Sequence, residues 1–285
     1  MDSASPLIRF APAKTNIWLH VIGKRPDGFH EIETRMVALT LCDQLTFFPS
    51  NDGVVTLTCS DPRLPTGEEN LVVRAVRALE QAVGRALPVA IHLEKHIPAG
   101  AGLGGGSSDA ATVLLALNEM ASLGQSAQEL AAVGATIGSD IPFFLYECPC
   151  DVGGRGEVVV PVTEPVPSAR LLLLKPAFGI AAAWAYRHFV DSSELDGFPY
   201  APQPSPWGLL RNDLERPVFG KFLIIGEMKS WLLEQPEVSA ALMSGSGSTV
   251  LAVLRDDGDG AALESRAKER YGESTWTALV EAVGQ

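Results

Sequence analysis

Apolar and polar residues alternate with a period of two along residues 9–22, which predicts a β-strand that begins after Pro12. Because successive side chains of a strand point to opposite faces, this alternation separates a polar face from an apolar face. The polar face is predicted to carry Lys14, Asn16, Trp18 and His20, and the apolar face Ile17, Leu19 and Val21. Runs rich in β-branched and aromatic residues predict further strands at 36–49, 53–60, 89–93, 171–174 and 250–254.

Apolar residues at intervals of three and four predict helices at residues 70–79, 126–138, 181–190 and 212–233. Asn70 is placed to cap the first of these, and Ser126 with Glu129 to form a capping box for the second. A further helix is predicted to be capped by Ser107, Ser108 and Asp109 and to present an apolar stripe of Val113, Leu114, Leu117 and Met120. Prolines at 199, 202, 204 and 206 are predicted to break regular structure before the last helical segment.

The stretch PAGAGLGGGSSDAA at residues 98–111 holds five glycines within seven residues. Glycine reaches positive φ readily, so successive N–H groups of this backbone can turn toward one anion. The helix that follows adds an N-terminus whose dipole and free N–H groups also favour negative charge. The stretch therefore predicts a phosphate-binding loop, with a glycine-rich turn that binds no ligand as the alternative.

Two common nucleotide-binding motifs fit this stretch poorly. Gly100, Gly102 and Gly105 satisfy the dinucleotide pattern, but a second helix follows where that fold requires a strand ending in an acidic residue. A P-loop requires Gly-Lys-Ser/Thr where this chain has Gly106 and Ser107. The context therefore argues against both motifs.

Two further stretches carry candidate chemistry. Asp140 follows a predicted helix end and precedes Pro142, which disfavours helical conformation at Ile141. We therefore expect Asp140 in a short extended segment, either as a functional carboxylate or as a turn aspartate that binds nearby backbone. A second loop of small residues, MSGSGST at 243–249, lies between two apolar runs, and its alternative is a solvated linker.

Composition narrows the classes of partner. The 285 residues include 22 basic and 34 acidic side chains, and the resulting net charge of −12 repels nucleic acid and anionic membrane in bulk. A small-molecule partner is favoured, and an anionic one requires a local basic site. Residues 1–9 lack the pattern of a secretory signal and no apolar run reaches the length of a membrane span, so we expect a cytoplasmic protein. The oligomeric state is left open.

Three stretches together resemble the motifs of the GHMP kinases, a family of small-molecule kinases named for galactose, homoserine, mevalonate and phosphomevalonate. They are PAKTN at 12–16, PAGAGLGGGSSDAA at 98–111 and MSGSGST at 243–249, and their order and spacing also match. Shorter matches at 27–30, 69–71, 139–142, 154–157 and 212–215 extend the resemblance over nearly the whole chain.

The resemblance implies a two-lobed α+β fold with the substrate in the cleft between the lobes. The N-terminal lobe, residues 1–165, would be a ribosomal-protein-S5-like domain that binds ATP, and residues 166–285 would form a ferredoxin-like domain. Prolines 161, 165 and 167 mark the crossover between them. Magnesium is expected to bridge the phosphates, with Ser108 or Glu157 as its candidate ligands.

The same resemblance implies roles for individual residues. Lys14 and Asp140 would take the catalytic places. The second-lobe glycine loop would comprise Ser244, Gly245, Ser246 and Gly247. ATP would be bound by Asn70, Lys95 and the loop residues Pro98, Ala99, Gly100, Ala101, Gly102, Leu103, Gly104, Gly105, Gly106, Ser107 and Ser108.

The resemblance is strongest to the members that phosphorylate the 2-hydroxyl of 4-diphosphocytidyl-2-C-methyl-D-erythritol in the non-mevalonate route to isoprenoids. It implies that Asn16 holds the erythritol end, that Phe29 and Tyr186 stack on the cytosine, and that His30 bonds its polar edge. Phe29 stands where the family commonly has tyrosine, which leaves the stacking face intact. Alanines at 181 and 182 replace the serine and threonine common there, so a side-chain hydroxyl contact does not carry over.

Overall fold

A computed structural model describes residues 5–50 and 53–284. Its strands are β1 Leu7–Lys24, β2 His30–Pro49, β3 Thr56–Cys59, β4 Val89–Glu94, β5 Cys150–Gly153, β6 Val158–Pro161, β7 Ala169–Lys175, β8 Gln203–Ser205, β9 Gly208–Asn212, β10 Val238–Met243, β11 Val250–Leu254 and β12 Trp276–Ala282. Its helices are α1 Leu71–Val83, α2 Gly105–Met120, α3 Ala127–Ala135, α4 Ile141–Phe144, α5 Ala182–Arg187, α6 Glu215–Lys221, α7 Leu223–Leu233 and α8 Gly260–Tyr271.

The two longest strands, β1 and β2, form an antiparallel hairpin that runs through the middle of the molecule. The main sheet path has the order β10-β11-β7-β12-β2-β1-β9-β8, and β4 and β5 also pair with β2. The strands of the C-terminal half join the hairpin at two places, where β12 pairs with β2 and where β9 runs parallel to β1. The hairpin therefore lies between both halves of the chain, and a boundary at residue 165 stays a prediction.

Three clusters of buried apolar side chains stabilise this arrangement. The first packs α1 and α2 against β2 and β4, with Phe47 and Leu114 among its buried members. The second surrounds α6 and α7 and includes Phe219. The third lies between the hairpin and the C-terminal strands and includes Ile17 and Leu251. None of the helices in residues 5–50 and 53–284 is long and apolar enough to cross a membrane.

The alternation predicted for the first strand holds only in part. Its pairing with β2 shifts register between Asn16 and Trp18, so one extra residue interrupts the alternation of faces. Lys14 and Asn16 line the same cavity as Leu19, whereas Trp18 packs with Ile17 against the third cluster. The prediction that Lys14, Asn16, Trp18 and His20 share one face is therefore wrong beyond Asn16.

The start of the helix after the glycine stretch also differs from the prediction. The helix begins at Gly105 and its N-cap is Gly104, with φ of 72° and no side-chain capping bond. Ser107, Ser108 and Asp109 lie inside the helix rather than capping it, and Met120 is 38% exposed. Because Gly104 has no side chain, it provides no capping acceptor for the first N–H groups of α2, which favours the binding of an anion there.

Asp140 lies in helical rather than extended backbone, with φ of −83° and ψ of −12°, as the N-cap of the short helix α4. The prediction was wrong because Pro142 occupies the first turn of that helix, where a missing N–H costs no hydrogen bond. The carboxylate therefore stands at a helix N-terminus.

Some of the other predicted helix and strand boundaries are confirmed, and others lie elsewhere in the structure. Asn70 caps α1, and Ser126 and Glu129 form the predicted capping box of α3, although that helix ends at Ala135. The proline-rich segment is not irregular throughout, because β8 and β9 pair as a short hairpin within it. The last predicted helix is divided into α6 and α7 at Phe222.

Candidate active site

A cleft of about 1150 Å³ runs between the two halves of the chain and is lined by most of the predicted site residues, the exceptions being Ser108, Glu157, Ser244 and Gly247. One end, which we call the phosphate end because it contains the predicted phosphate-binding loop, is formed by β1, the glycine stretch, Asp140 and part of the second-lobe loop. Its other end, which we call the aromatic end, is formed by Phe29, His30 and Tyr186. The cleft therefore brings together segments that are far apart in sequence.

The glycine stretch wraps the phosphate end in a conformation that side chains would not allow. Gly102 has φ of 77°, and a Cβ built on it would lie 2.2 Å from the Ser244 carbonyl oxygen and 2.8 Å from that of Gly247. At Gly104, with φ of 72°, a Cβ would lie 2.9 Å from Cγ of Lys14. Of the predicted ATP-binding residues 98–108, all except Ser108 line the cleft.

The second-lobe loop packs directly on the first. The Ser244 hydroxyl donates to the Gly102 carbonyl at 3.2 Å, and the Thr249 N–H donates to the Ala101 carbonyl, also at 3.2 Å. Gly245 and Ser246 line the cleft, whereas Ser244 is fully buried against the first loop. The two glycine loops thus form one continuous wall.

Lys14 lies at the centre of the phosphate end and is almost completely buried. Its ammonium donates to Asn16 Oδ1 at 2.9 Å and lies 3.8 Å from Asp140 Oδ2. The Asn16 amide donates in turn to Thr34 Oγ1 at 2.7 Å, which fixes the orientation of that side chain. Lys14 and Asp140 therefore form an ion pair on the cleft wall.

A second network, missed in the sequence analysis, holds the second-lobe loop in place. The Asn212 side-chain amide donates at 2.7 Å to the carbonyls of both Met243 and Gly245. Glu215 accepts the Met243 N–H at 3.0 Å and is ion-paired with the buried Lys229. The Asn-Asp-Leu-Glu sequence at 212–215 was visible as a motif, but its spacing does not reveal that it binds a loop thirty residues later.

The aromatic end is an assembly of three rings and one guanidinium. The rings of His30 and Tyr186 lie 5.7 Å apart at their centroids and 27° from parallel, and the Arg155 guanidinium lies 4.9 Å from the centre of the Phe29 ring. Burial, with a smaller effect from Lys24, lowers the pKa of His30 and so favours its neutral form. Burial, reinforced by the Asp140 charge, raises the pKa of the Tyr186 phenol. These rings present uncharged, stackable faces to the cleft.

Asn70 and Lys95 line the cleft, but their polar groups also hold the protein together. Asn70 accepts the Val72 N–H at 2.9 Å as the cap of α1 and donates to the Pro65 carbonyl at 2.6 Å. The Lys95 ammonium is ion-paired with two buried carboxylates, Asp43 and Asp109. The sequence analysis did not single out Asp43, and it predicted Asp109 only as a helix cap. Burial and the nearby Asp43 carboxylate raise the pKa of Asp109 to about 7, against the opposing effect of Lys95.

The two candidate metal ligands are placed differently. Ser108 is fully buried in the first turn of α2, and its Oγ has no hydrogen-bond partner among residues 5–50 and 53–284. Glu157 does not line the cleft, and its carboxylate accepts the Arg155 N–H at 2.7 Å. Within the same described residues, no group of three or more acidic, histidine or cysteine side chains could hold a metal by itself.

Comparisons with known proteins show the family to which the chain belongs. The family model for the GHMP kinases N-terminal domain matches residues 70–148, and the model for the GHMP kinases C-terminal domain matches residues 207–273. A 4-diphosphocytidyl-2-C-methyl-D-erythritol kinase from Syntrophotalea carbinolica is 41% identical over 94% of this chain and 96% of that protein. The chain therefore belongs to the GHMP kinase family.

Solved structures lead to the same class. The crystal structure of a 4-(cytidine 5'-diphospho)-2C-methyl-D-erythritol kinase superimposes with a TM-score of 0.77 and 32% identity, over 97% of this chain and 100% of that one. A homoserine kinase from Cytophaga hutchinsonii superimposes with a TM-score of 0.69 over 99% of this chain and 96% of its own. Its 16% identity supports the shared α+β fold alone.

Proposed function

We propose that this chain transfers the γ-phosphate of ATP to the 2-hydroxyl of 4-diphosphocytidyl-2-C-methyl-D-erythritol, a step of the non-mevalonate route to isoprenoid precursors. The observation that carries the proposal is the position of the Lys14–Asp140 pair, which lies in one cleft with two glycine loops and an aromatic pocket. The full-length similarity to 4-diphosphocytidyl-2-C-methyl-D-erythritol kinases supports the choice of acceptor.

The phosphate end supplies the groups that an ATP polyphosphate needs. Backbone N–H groups of the glycine stretch and the uncapped N-terminus of α2 favour bound negative charge. We assign residues 98–108 to the binding of the phosphates, and the second-lobe loop to the support of those residues. Asn70 and Lys95 border the same part of the cleft and are assigned to the adenosine side.

Phosphoryl transfer requires the acceptor oxygen to be positioned in line with the γ-phosphorus, and charge to be stabilised as the leaving oxygen departs. The 2-hydroxyl oxygen forms the new bond to phosphorus, the bond to the β–γ bridging oxygen breaks, and ADP leaves. Asp140 orients the hydroxyl and accepts its proton. Lys14 orients the attacking oxygen beside that carboxylate, while Asn16 holds the erythritol end.

The aromatic end is assigned to the cytosine. Stacking on Phe29 and Tyr186 requires only ring faces, and both residues line the cleft. His30, favoured as the neutral imidazole, can both donate and accept at the polar edge of the base. Ala181 and Ala182 also line the cleft, and because neither has a hydroxyl, no side-chain hydroxyl contact is assigned there.

Magnesium fits the site through the phosphates rather than through a protein cage. This ion commonly keeps waters and uses only one or two side chains beside the substrate phosphates. Of the two candidate ligands we favour Ser108, which lies in the first turn of α2 next to the glycine stretch and whose hydroxyl has no hydrogen-bond partner among residues 5–50 and 53–284. Bound there, magnesium would neutralise phosphate charge, and the expected result of chelation is loss of turnover that added Mg²⁺ restores.

Coupled measurement of ADP release by the purified protein tests the proposal. The acceptors to compare are 4-diphosphocytidyl-2-C-methyl-D-erythritol, mevalonate, homoserine and galactose. We expect kcat/KM to be at least about a hundredfold higher for the first, since the aromatic end is left empty by the others. Preference for any of the other three would reject the acceptor while leaving the kinase class intact. Action in the cytoplasm stays a prediction.

A further inference from the structure

One buried carboxylate outside the cleft binds three consecutive residues at the entry to the glycine stretch. Asp43, on β2, is 0% exposed and does not line the cleft. Its Oδ1 accepts the N–H of His96 at 2.6 Å and that of Ile97 at 2.8 Å, and its Oδ2 accepts the Lys95 ammonium. Beyond Glu94, where the pairing of β4 with β2 ends, this side chain therefore ties the chain that leads into Pro98 to the central hairpin.

The same network reaches the other end of the stretch. The Lys95 ammonium, bound to Asp43, also donates to Asp109 Oδ2 at 2.8 Å. Asp109 belongs to α2, which carries the chain out of the glycine stretch. Residues 97 and 109 are thus joined across the loop by one carboxylate, one ammonium and a second carboxylate, a connection that we call the loop clip (Asp43, Lys95 and Asp109).

The clip also accounts for the charge of Lys95. Its ammonium faces two buried carboxylates, so the three groups together carry no surplus positive charge for a phosphate. The packing around it is close, because a Cβ on Gly105 would lie 3.3 Å from Lys95 Nζ and 2.9 Å from Ile97 Cγ2. Lys95 is therefore suited to shape the loop more than to attract ATP as a free charge.

We propose that Asp43 is a positioning residue for ATP binding, which acts by holding both ends of the glycine stretch through the loop clip. A loop rich in glycine loses more backbone entropy on ordering than any other segment of similar length. If the protein fixes the ends of that loop before ATP arrives, less of this cost falls on binding. The inference rests on the proposed function for its kinetic readout only.

The first experiment measures ATP binding by titration calorimetry for wild type and for Asp43→Asn. An asparagine amide can still accept the two N–H bonds but cannot pair with the Lys95 ammonium. We expect the Kd for ATP to rise at least about tenfold, since the lost buried ion pair leaves the clip open. The KM for the phosphate acceptor should change less than about threefold, because the aromatic end is separate.

Asp109→Ala opens the clip from its other end and provides a second test if Asp43→Asn fails to fold. Either variant alone should weaken ATP binding by a similar factor. The double variant should bind ATP about as tightly as Asp43→Asn does, because the two residues act through one connection. The matched control is Glu80→Gln. Like Asp43, the Glu80 carboxylate accepts hydrogen bonds from backbone and from a cationic side chain, here the Leu87 N–H at 2.8 Å and the Arg77 guanidinium at 2.9 Å, but it lies away from the glycine stretch.

Each of the following results would overturn the inference: unchanged ATP affinity in Asp109→Ala, additive losses in the double variant, or an equal loss in Glu80→Gln. Equal losses of ATP and acceptor binding in Asp43→Asn would also do so, since they indicate general damage to the fold. Because ATP binding is measured without turnover, a wild-type protein that binds ATP but ignores the proposed acceptor would reject the proposed function and leave the test of Asp43 intact.

Discussion

The two ends of the cleft are built on opposite physical principles. At the phosphate end, backbone atoms approach so closely that a single added carbon at Gly102 would lie 2.2 Å from a carbonyl oxygen. At the aromatic end, side-chain rings form the surface, and Phe29 is 48% exposed. The phosphate end thus depends on the path of the backbone, whereas the aromatic end depends on the presence of ring faces.

This difference determines which substitutions each end tolerates. A phosphate-binding loop offers N–H groups whose positions follow from φ and ψ, so a change of backbone conformation displaces several at once. A stacked ring can lose a hydroxyl group and retain its apolar face. We therefore expect graded losses at the aromatic end and steep losses at the phosphate end.

The largest expected effect lies at the charged pair. Asp140→Asn and Lys14→Ala should each lower kcat by about two to four orders of magnitude, the range of positioned acid–base groups. ATP affinity should be retained, because neither change alters the path of the glycine stretch. Steady-state kinetics beside calorimetric titration with ATP separates the two quantities. Near-normal turnover in either variant would remove that residue from the chemistry.

The next effect concerns the contact between the glycine loops. Gly102→Ala should lower the free energy of unfolding by about 2–4 kcal/mol, because it combines left-handed backbone strain with overpacking against Ser244 and Gly247. Gly124→Ala is the matched control, since Gly124 has φ of 68° but no atom within 4 Å of the added Cβ. Only the backbone cost of about 1 kcal/mol should appear there.

Urea unfolding of these two glycine variants measures the difference. Equal destabilisation would show that the contact between the loops adds nothing beyond the strain of the backbone. A larger loss in Gly102→Ala, accompanied by weaker ATP binding, would confirm that the two halves of the chain shape the phosphate end jointly.

The phosphate end should also show a pH dependence, carried by Asp109. The pKa of Asp109 is raised to about 7 in the folded chain, so between about pH 4 and 7 the folded state binds more protons than the unfolded state. Its stabilising contribution is therefore greatest at low pH and is lost as the pH rises to about 7. Relative to Asp109→Asn, wild type should lose about 1 kcal/mol or more between pH 5 and 7.5.

Urea titrations of wild type and Asp109→Asn at both pH values provide the measurement. The difference between the two proteins isolates Asp109 from the many surface carboxylates that titrate in both. If the free energies of unfolding of the two proteins changed in parallel with pH, the buried Asp109 carboxyl would not lose its proton between these pH values.

The smallest effect is expected from the half-exposed ring. Phe29→Ala should raise the KM for the cytidine-bearing acceptor about twofold to tenfold, the equivalent of about 0.5–1.5 kcal/mol of lost stacking. The kcat value and the KM for ATP should stay within about twofold, because the phosphate end is untouched. Phe29→Tyr is the control and should behave as wild type. A collapse of kcat in Phe29→Ala would contradict the separation of the two ends.

Much of the secondary structure was predictable because its causes are local. The caps at Asn70 and Ser126 involve hydrogen bonds to residues two or three positions away, and both are confirmed. The register shift after Asn16 was not predictable, because a bulge depends on how β2 pairs with β1. Asp140 was misjudged for a related reason, since the effect of Pro142 depends on where the helix around it begins.

Taken alone, the sequence determined the family and the groups available for chemistry, since Lys14, Asp140 and two glycine loops are matters of residue type and spacing. Only the tertiary structure decided how these groups act together. The 3.8 Å approach of Lys14 to Asp140 and the bonds of Asp43 and Asn212 to the two loops join residues tens of positions apart or more. The physical reason is that burial and long-range hydrogen bonds are properties of the folded chain, which no local pattern specifies.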